Sequence, residues 1–178
     1  MIEIGEQICG LSQRATQQSA TVSLISGFRT FDEPKATRPT LIVDTNVVIA
    51  GLLTTRNGSS LHVESAHIYQ GMLSAAISFA LSEALLAGYR AVFTRAELCE
   101  RHGLTADEID ALLRNLAARA TMLTPVKASA APDPGDQLLW ELLAARADLL
   151  LVTGDKLLLK DAGMRGRVVT PKRFLRGA

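Results

Sequence analysis

A short apolar stretch that ends in an acid, residues 41–43 followed by Asp44, constrains the fold of this chain more than any other feature. After Thr45 and Asn46 comes a second apolar segment, residues 47–53. This pattern predicts a buried strand that leads into a helix, with the carboxylate of Asp44 at the carboxyl edge of a parallel sheet. Open α/β folds bind their ligands at that edge.

Length and charge restrict the class of protein. The chain has 178 residues, which predicts one domain with a sizeable core. Hydrophobic residues make up 48% of it and aromatic residues only 4%, so aliphatic side chains must build that core. The 19 basic and 18 acidic residues give a net charge of +1, which excludes a bulk polyelectrolyte binder. Any nucleic-acid site must therefore be a local patch.

Cysteine usage and hydropathy favour a cytoplasmic protein. Cys9 and Cys99 lie far apart and form no metal or redox spacing, as expected in a reducing cytosol. No apolar run approaches the ~18 to 20 residues of a membrane span. Glu3 and Glu6 stand where a signal peptide would be basic, so neither export nor a membrane partner is expected.

Residues 1–39 differ in composition from the rest of the chain, because they are rich in Ser, Thr, Gln and Gly and sustain no periodicity. We interpret them as a loosely ordered N-terminal extension, followed by a domain at residues 40–178. An upstream start codon that adds residues without a structural role explains the same composition. A partner-binding arm is a further alternative.

Strand-like and helix-like segments alternate from residue 40 onward. Apolar runs predict strands at residues 40–43, 75–81, 120–126, 148–153 and 167–169. Helices are predicted to start at Asp44, at Ser59 or Ser60, at Ser82, in the capping box of residues 105–108, at Asp136 and at Lys156, and Gly71 is predicted to stop the second of them. The order β-α-α-β-α-α-β-α-β-α-β predicts an α/β fold, a three-layer α/β/α sandwich with a mostly parallel central sheet.

Three aspartates fall at equivalent places in this pattern. Asp44 and Asp155 each directly follow a predicted strand segment, and Asp136 begins a helix, so all three are expected at one edge of the sheet. Carboxylates that share a site repel one another, and a divalent cation relieves the repulsion. Oxygen ligands favour Mg²⁺ or Mn²⁺, which suit phosphodiester hydrolysis. Asn46 and Thr153 could orient a metal-bound water.

Each of these residues also has a simpler interpretation. Asp44 can cap the helix after it, Asp136 stands where any helix favours an anion, and Asp155 can be a turn residue beside Gly154. Turn chemistry would equally explain Asn46 and Thr153.

Five segments together resemble a known family: residues 43–46, 82–93, 133–136, 151–155 and 169–175. Over residues 40–175 the chain resembles the PIN-domain family of Mg²⁺- or Mn²⁺-dependent ribonucleases, which includes the toxins of many prokaryotic toxin–antitoxin pairs. The resemblance implies a PIN-like domain with endoribonuclease activity on RNA phosphodiester bonds. It also implies an antitoxin protein and a second copy of the chain as candidate partners.

By position, the resemblance makes Asp44, Asp136 and Asp155 the metal-binding and catalytic acids, with Asn46, Thr153 and Asp133 in support. One departure concerns the helix predicted after Ser82. The family usually carries an acid just before the position of Tyr89, where this chain has Gly88. The acid on that helix, Glu83, is displaced by roughly 7.5 Å along its axis and about 140° around it.

The glycine at this position predicts weaker metal binding and reduced activity. It leaves open an alternative function, a non-catalytic PIN-like module that binds RNA or a protein. A nucleotide-binding or phosphoryl-transfer α/β class ranks last, because the chain has neither a G-x-G-x-x-G nor a P-loop motif.

Basic residues near the C-terminus are the candidate nucleic-acid contacts: Arg165, Arg167, Lys172 and Arg173. They would bind phosphates in a salt-dependent, sequence-independent way. A solvated face is the alternative interpretation. The low aromatic content argues against sequence-specific reading of single strands.

Overall fold

The structure is a computed structural model, and it describes residues 39–161, 163–164 and 166–177. The predicted N-terminal extension lies outside these residues except for Pro39. Within the described ranges, no helix is long and apolar enough to cross a membrane.

Parallel strands form the centre of the fold. They are Thr40–Val43 (β1), Ala80–Leu81 (β2), Thr121–Met122 (β3), Leu149–Val152 (β4) and Val168–Val169 (β5). Hydrogen bonds join β1, β4 and β5 in that order, and they join β2 to β3. A parallel bridge between Leu41 and Phe79 connects the two groups. The resulting order, β3-β2-β1-β4-β5, is parallel throughout, which confirms the predicted sheet.

The central strands are covered on both faces. In β1, the consecutive residues Leu41, Ile42 and Val43 are 0 to 1% exposed. Successive side chains of a strand point to opposite faces of the sheet, so both faces must be packed against other elements. Burial on both sides defines three layers, α/β/α, as the alternating sequence pattern predicted.

Helices form the outer layers: Thr45–Asn57 (α1), Val63–Leu73 (α2), Glu83–Phe93 (α3), Ala96–His102 (α4), Ala106–Arg119 (α5), Gln137–Ala145 (α6), Lys156–Lys160 (α7) and Pro171–Leu175 (α8). A 3₁₀ turn, Pro134–Asp136, precedes α6. The predicted capping box forms at the start of α5, where the Glu108 carboxylate accepts from the Thr105 amide at 2.8 Å. The short helices α4 and α8 were not predicted.

The start and end predicted for the second helix are wrong. Helix α2 begins at Val63 rather than after Ser59 or Ser60, and Gly71 lies inside it. A Cβ atom at Gly71 would lie 2.5 Å from Cδ1 of Ile77. This glycine therefore provides room for a neighbouring side chain and does not terminate the helix.

Two predicted strands are longer than the observed ones. Only Ala80–Leu81 of residues 75–81 and Thr121–Met122 of residues 120–126 form strands. Ala75 adopts a positive φ of 58°, which is incompatible with a strand at that point. Leu123 still donates to the carbonyl of Leu81 at 2.8 Å, and residues 124–126 pass beyond the end of β2.

Candidate active site

Asp44 lies where β1 ends and α1 begins. Its amide donates to the carbonyl of Val152 at 2.9 Å, which continues the pairing of β1 with β4 by one residue. This register brings the end of β1 beside the end of β4, at the carboxyl edge of the sheet. Asp44 is 7% exposed, so its carboxylate is largely withdrawn from water.

Two neighbouring side chains hold the Asp44 carboxylate. Its Oδ2 accepts from the hydroxyl of Thr153 at 2.5 Å and from Nδ2 of Asn46 at 2.8 Å. Its Oδ1 accepts from the Asn46 amide at 3.3 Å, so Asp44 also caps α1, as its simpler interpretation predicted. Burial raises the pKa of Asp44, the hydrogen bonds from Thr153 and Asn46 oppose that increase, and the charge of Asp155 adds to it.

Thr153 connects two of the predicted acids. Its side chain is fully buried, and besides donating to Asp44 its hydroxyl accepts from the amide of Asp155 at 2.9 Å. The Asp155 carboxylate in turn caps α7 by accepting from the amide of Leu157 at 2.6 Å. The end of β4 therefore fixes both acids relative to each other.

Asp136 occupies the junction between the 3₁₀ turn and α6, where its side chain makes no capping hydrogen bond. Burial raises the pKa of its carboxyl, and the charges of Asp44, Asp133 and Asp155 raise it further. Asp133 is exposed and caps the 3₁₀ turn by accepting from the Gly135 amide at 2.7 Å. The mutual effects on pKa indicate that these acids lie near the same edge.

The donor set fits a hard cation, with one restriction. The charge of Asp155 raises the pKa of Asp44, and the charges of both raise that of Asp136, and carboxylate oxygens gathered in this way are suitable ligands for Mg²⁺ or Mn²⁺. Among the described residues, however, no three His, Cys, Asp or Glu side chains form a group that could hold a metal ion. A cation bound here would therefore take part of its coordination from water, rather than from a closed cage of protein ligands.

Helix α3 passes next to this site. The hydroxyl of fully buried Tyr89 donates to the carbonyl of Val43, the residue before Asp44. Burial raises the pKa of Tyr89, and the charge of Asp44 raises it further. At Gly88 a Cβ atom would meet nothing within 4 Å, so the backbone there has room for a side chain. Glu83 is the exposed first residue of the helix.

A cleft of about 790 Å³ opens beside Asp155. Asn46 and Asp155 line it, whereas Asp44 and Asp136 do not. Its wall is formed by residues of α1, α2, α7 and α8 and of the segments before α2 and α7, which are Val47, Ala50, His62, Glu64, Ser65, Gly154, Lys156, Leu157, Pro171 and Lys172. The sequence identified no role for His62 and Glu64, because their place in the cleft depends on how α2 packs.

The wall from α2 depends on close packing against α1. A Cβ atom at Gly51 of α1 would lie 2.5 Å from the carbonyl oxygen of Ser65 and 2.6 Å from Cβ of Tyr69. Only a glycine allows this approach of the two helices. The approach sets the position of Glu64 and Ser65 relative to α1.

The basic residues predicted to contact nucleic acid separate in space. Arg167 donates to the carbonyls of Leu149, Leu143 and Arg146, at the start of β4 and the end of α6, and burial lowers its pKa. It therefore lies at the amino edge of the sheet, opposite the acids, where its guanidinium is used within the fold, and its phosphate contact stays a prediction. Lys172 lines the cleft, Arg173 is exposed outside its lining, and Arg165 lies outside the described residues.

A parallel α/β fold with aspartates at its carboxyl edge defines a class of protein that binds ligands at that edge. A PIN-domain family model matches residues 40–157, and the chain belongs to this family, as the resemblance predicted. PIN domains are generally nucleases and typically use divalent metal ions. Neither the curated proteins nor the solved structures gave a significant match.

Proposed function

We propose that this PIN domain is a metal-dependent endoribonuclease that hydrolyses RNA phosphodiester bonds. One observation carries the proposal: the buried hydroxyl of Thr153 joins the carboxylate of Asp44 to the amide of Asp155, which places two acids side by side at the carboxyl edge of the sheet. The charges of both raise the pKa of Asp136, and anionic groups gathered at one edge, in a family of nucleases, favour a cation as their partner.

Asp44, Asp136 and Asp155 would hold Mg²⁺ or Mn²⁺, which when bound activates water and stabilises charge on the phosphate. Neighbouring side chains would orient the Asp44 carboxylate for this role. Thr153 and Asn46 both donate to Oδ2 of Asp44, which leaves Oδ1 with a single hydrogen bond at 3.3 Å. Asn46 also lines the cleft, where its amide would face a substrate beside Asp155.

A second candidate is a PIN-like module that binds RNA or a protein without cutting. Two observations favour it: Gly88 replaces an acid, and no three acidic, histidine or cysteine side chains among the described residues form a metal-holding group. Leu61 and Val63, which are 70% and 39% exposed on either side of His62, would suit an antitoxin protein or a second copy of the chain.

Cleavage assays with matched aspartate variants separate the two candidates. The assay follows a labelled single-stranded RNA with Mn²⁺, and with EDTA as the metal-free control. Asp44→Asn and Asp155→Asn are expected to abolish cleavage, whereas Asp107→Asn, the same change at an exposed position on α5, is expected to retain it. Equal cleavage by all three variants would refute the assignment, and no cleavage by the native protein would favour the binding module.

A further inference from the structure

The wall of the cleft next to Asp155 carries two lysines and two apolar residues that have no part in binding a metal ion. Lys156 and Leu157 begin α7, and Pro171 and Lys172 begin α8. All four residues line the same cleft of about 790 Å³, and Asp155 directly precedes the first of them. Two cations and two apolar side chains thus surround one part of the cleft.

The two lysines have no structural function that we can identify. In the described part of the chain the salt bridges are Arg90–Asp110 and Arg146–Asp148, so neither lysine takes part in one. Lys156 is the first residue of α7 and Lys172 the second residue of α8, so both stand on short helices beside the cleft. Both side chains are exposed and available to an anion in the cleft.

Leu157 is unusual for its exposure. It is 55% exposed, although the next residue, Leu158, is fully buried and anchors α7 in the core. Pro171 adds a second apolar surface to the same cleft. A nucleotide offers a group for each of these side chains: phosphates for the two lysines, and the face of a base for Leu157 and Pro171.

We propose that Lys156, Leu157, Pro171 and Lys172 form a subsite for one nucleotide of single-stranded RNA, next to Asp155. The lysines bind the phosphates on either side of that nucleotide, and Leu157 and Pro171 contact the face of its base. The base must be unpaired, because bases in a duplex are stacked on both faces and shielded. The choice of RNA rests on the proposed function, but none of these contacts involves the metal.

Binding without cleavage tests the lysines. Fluorescence anisotropy of a labelled oligouridylate is measured in EDTA over a range of salt concentrations. The double variant K156A/K172A is expected to bind roughly tenfold more weakly, and its slope of log K against log[salt] is expected to be smaller by about 1.4, at roughly 0.7 per phosphate contact. The control K127A/K160A removes the same charge from exposed lysines outside the cleft lining and should match the native protein.

A second pair of variants tests the base contact. Leu157→Ala is expected to weaken binding several-fold with an unchanged salt slope, because it removes apolar contact and no charge. Its control is Leu175→Ala, an apolar residue that is 41% exposed outside this cleft. A duplex of the same length should bind more weakly than the single strand. Equal binding of duplex and single strand, or equal effects of the two leucine variants, would overturn the base contact.

The outcomes separate this inference from the nuclease proposal. If the native protein cleaves RNA while K156A/K172A binds like its control, the subsite is wrong and the nuclease stands. If the native protein does not cleave RNA but the anisotropy results follow the expectation, the subsite is supported and the protein is a non-catalytic binding module. Absence of RNA binding by the native protein would overturn the subsite.

Discussion

The hydroxyl of Thr153 donates a 2.5 Å hydrogen bond to Oδ2 of Asp44, although the two residues are 109 positions apart in the chain. The same hydroxyl accepts from the amide of Asp155. One buried side chain therefore joins the ends of β1 and β4 and orients two acids at once. Since Thr153 is fully buried and Asp44 is only 7% exposed, the loss of this hydroxyl should be costly.

Thr153→Val tests this connection. The substitution removes one of the two hydrogen bonds to Oδ2 of Asp44 and leaves the Asp155 amide without its side-chain acceptor, so the free energy of unfolding should fall by about 1 to 3 kcal/mol. Thr153→Ser keeps the hydroxyl and should restore most of that loss. Urea unfolding measures both variants, and a valine variant as stable as the serine variant would contradict the role of the hydrogen bond.

Asp44→Asn should make the fold less sensitive to pH. Because the folded-state pKa of Asp44 is raised, the folded protein binds its proton more tightly than the unfolded chain does. The ionised carboxylate therefore destabilises the fold above that pKa, and this cost disappears as the pH falls through it. Asparagine keeps an oxygen that can accept from Thr153 and carries no charge.

In metal-free buffer the melting temperature of Asp44→Asn should therefore equal or exceed that of the native protein at neutral pH. The difference should shrink as the pH falls below the raised pKa. Asp107→Asn, on the exposed start of α5, serves as the control and should show no such trend. A clear loss of stability at neutral pH in Asp44→Asn would disprove the sign of this effect.

Gly88→Glu tests whether an acid on α3 completes the metal site. The open space at Gly88 admits a side chain, and Tyr89 ties this part of the helix to the residue before Asp44. Isothermal calorimetry should show tighter Mn²⁺ binding by Gly88→Glu than by Gly88→Gln, which has the same shape without the charge. Both should gain helix stability, up to about 1 kcal/mol relative to glycine. Equal Mn²⁺ affinities of the two variants would show that an acid at position 88 does not reach the metal site.

Arg167 is expected to stabilise the fold without affecting RNA binding. Arg167→Lys cannot reproduce the guanidinium's contacts with three carbonyls, so the free energy of unfolding should fall by about 1 to 3 kcal/mol. Anisotropy with oligouridylate should be unchanged at temperatures where the variant is folded. Weaker RNA binding by folded Arg167→Lys would support Arg167 as a nucleic-acid contact.

The sequence predicted what depends on local pattern. The apolar run before Asp44 located β1 and the acid at its end, and the box of Thr105 and Glu108 located the start of α5. Helix α8 carries a start signal that was overlooked, since Thr170 caps it and Pro171 is its first residue. A threonine cap followed by proline predicts a helix start, so α8 could have been predicted from the sequence.

Other features depend on tertiary contacts and leave no local signal. A glycine that ends a helix and one that accommodates a neighbour look the same in a sequence, which is why Gly71 was misinterpreted. An arginine near the C-terminus is equally ambiguous, because only the fold shows that Arg167 reaches the carbonyls of Leu143 and Arg146. The assignment of Asp44, Asp136 and Asp155 as catalytic acids stays a prediction.

The glycine at position 51 has a consequence for substrate access. Any larger residue there would collide with the backbone of Ser65, which cannot rotate away as a flexible side chain could, so the first two helices would have to separate. Separation would carry Glu64 outward and widen the entrance next to Asp155. Which molecules reach the acids is thus governed partly by a residue that carries no functional group.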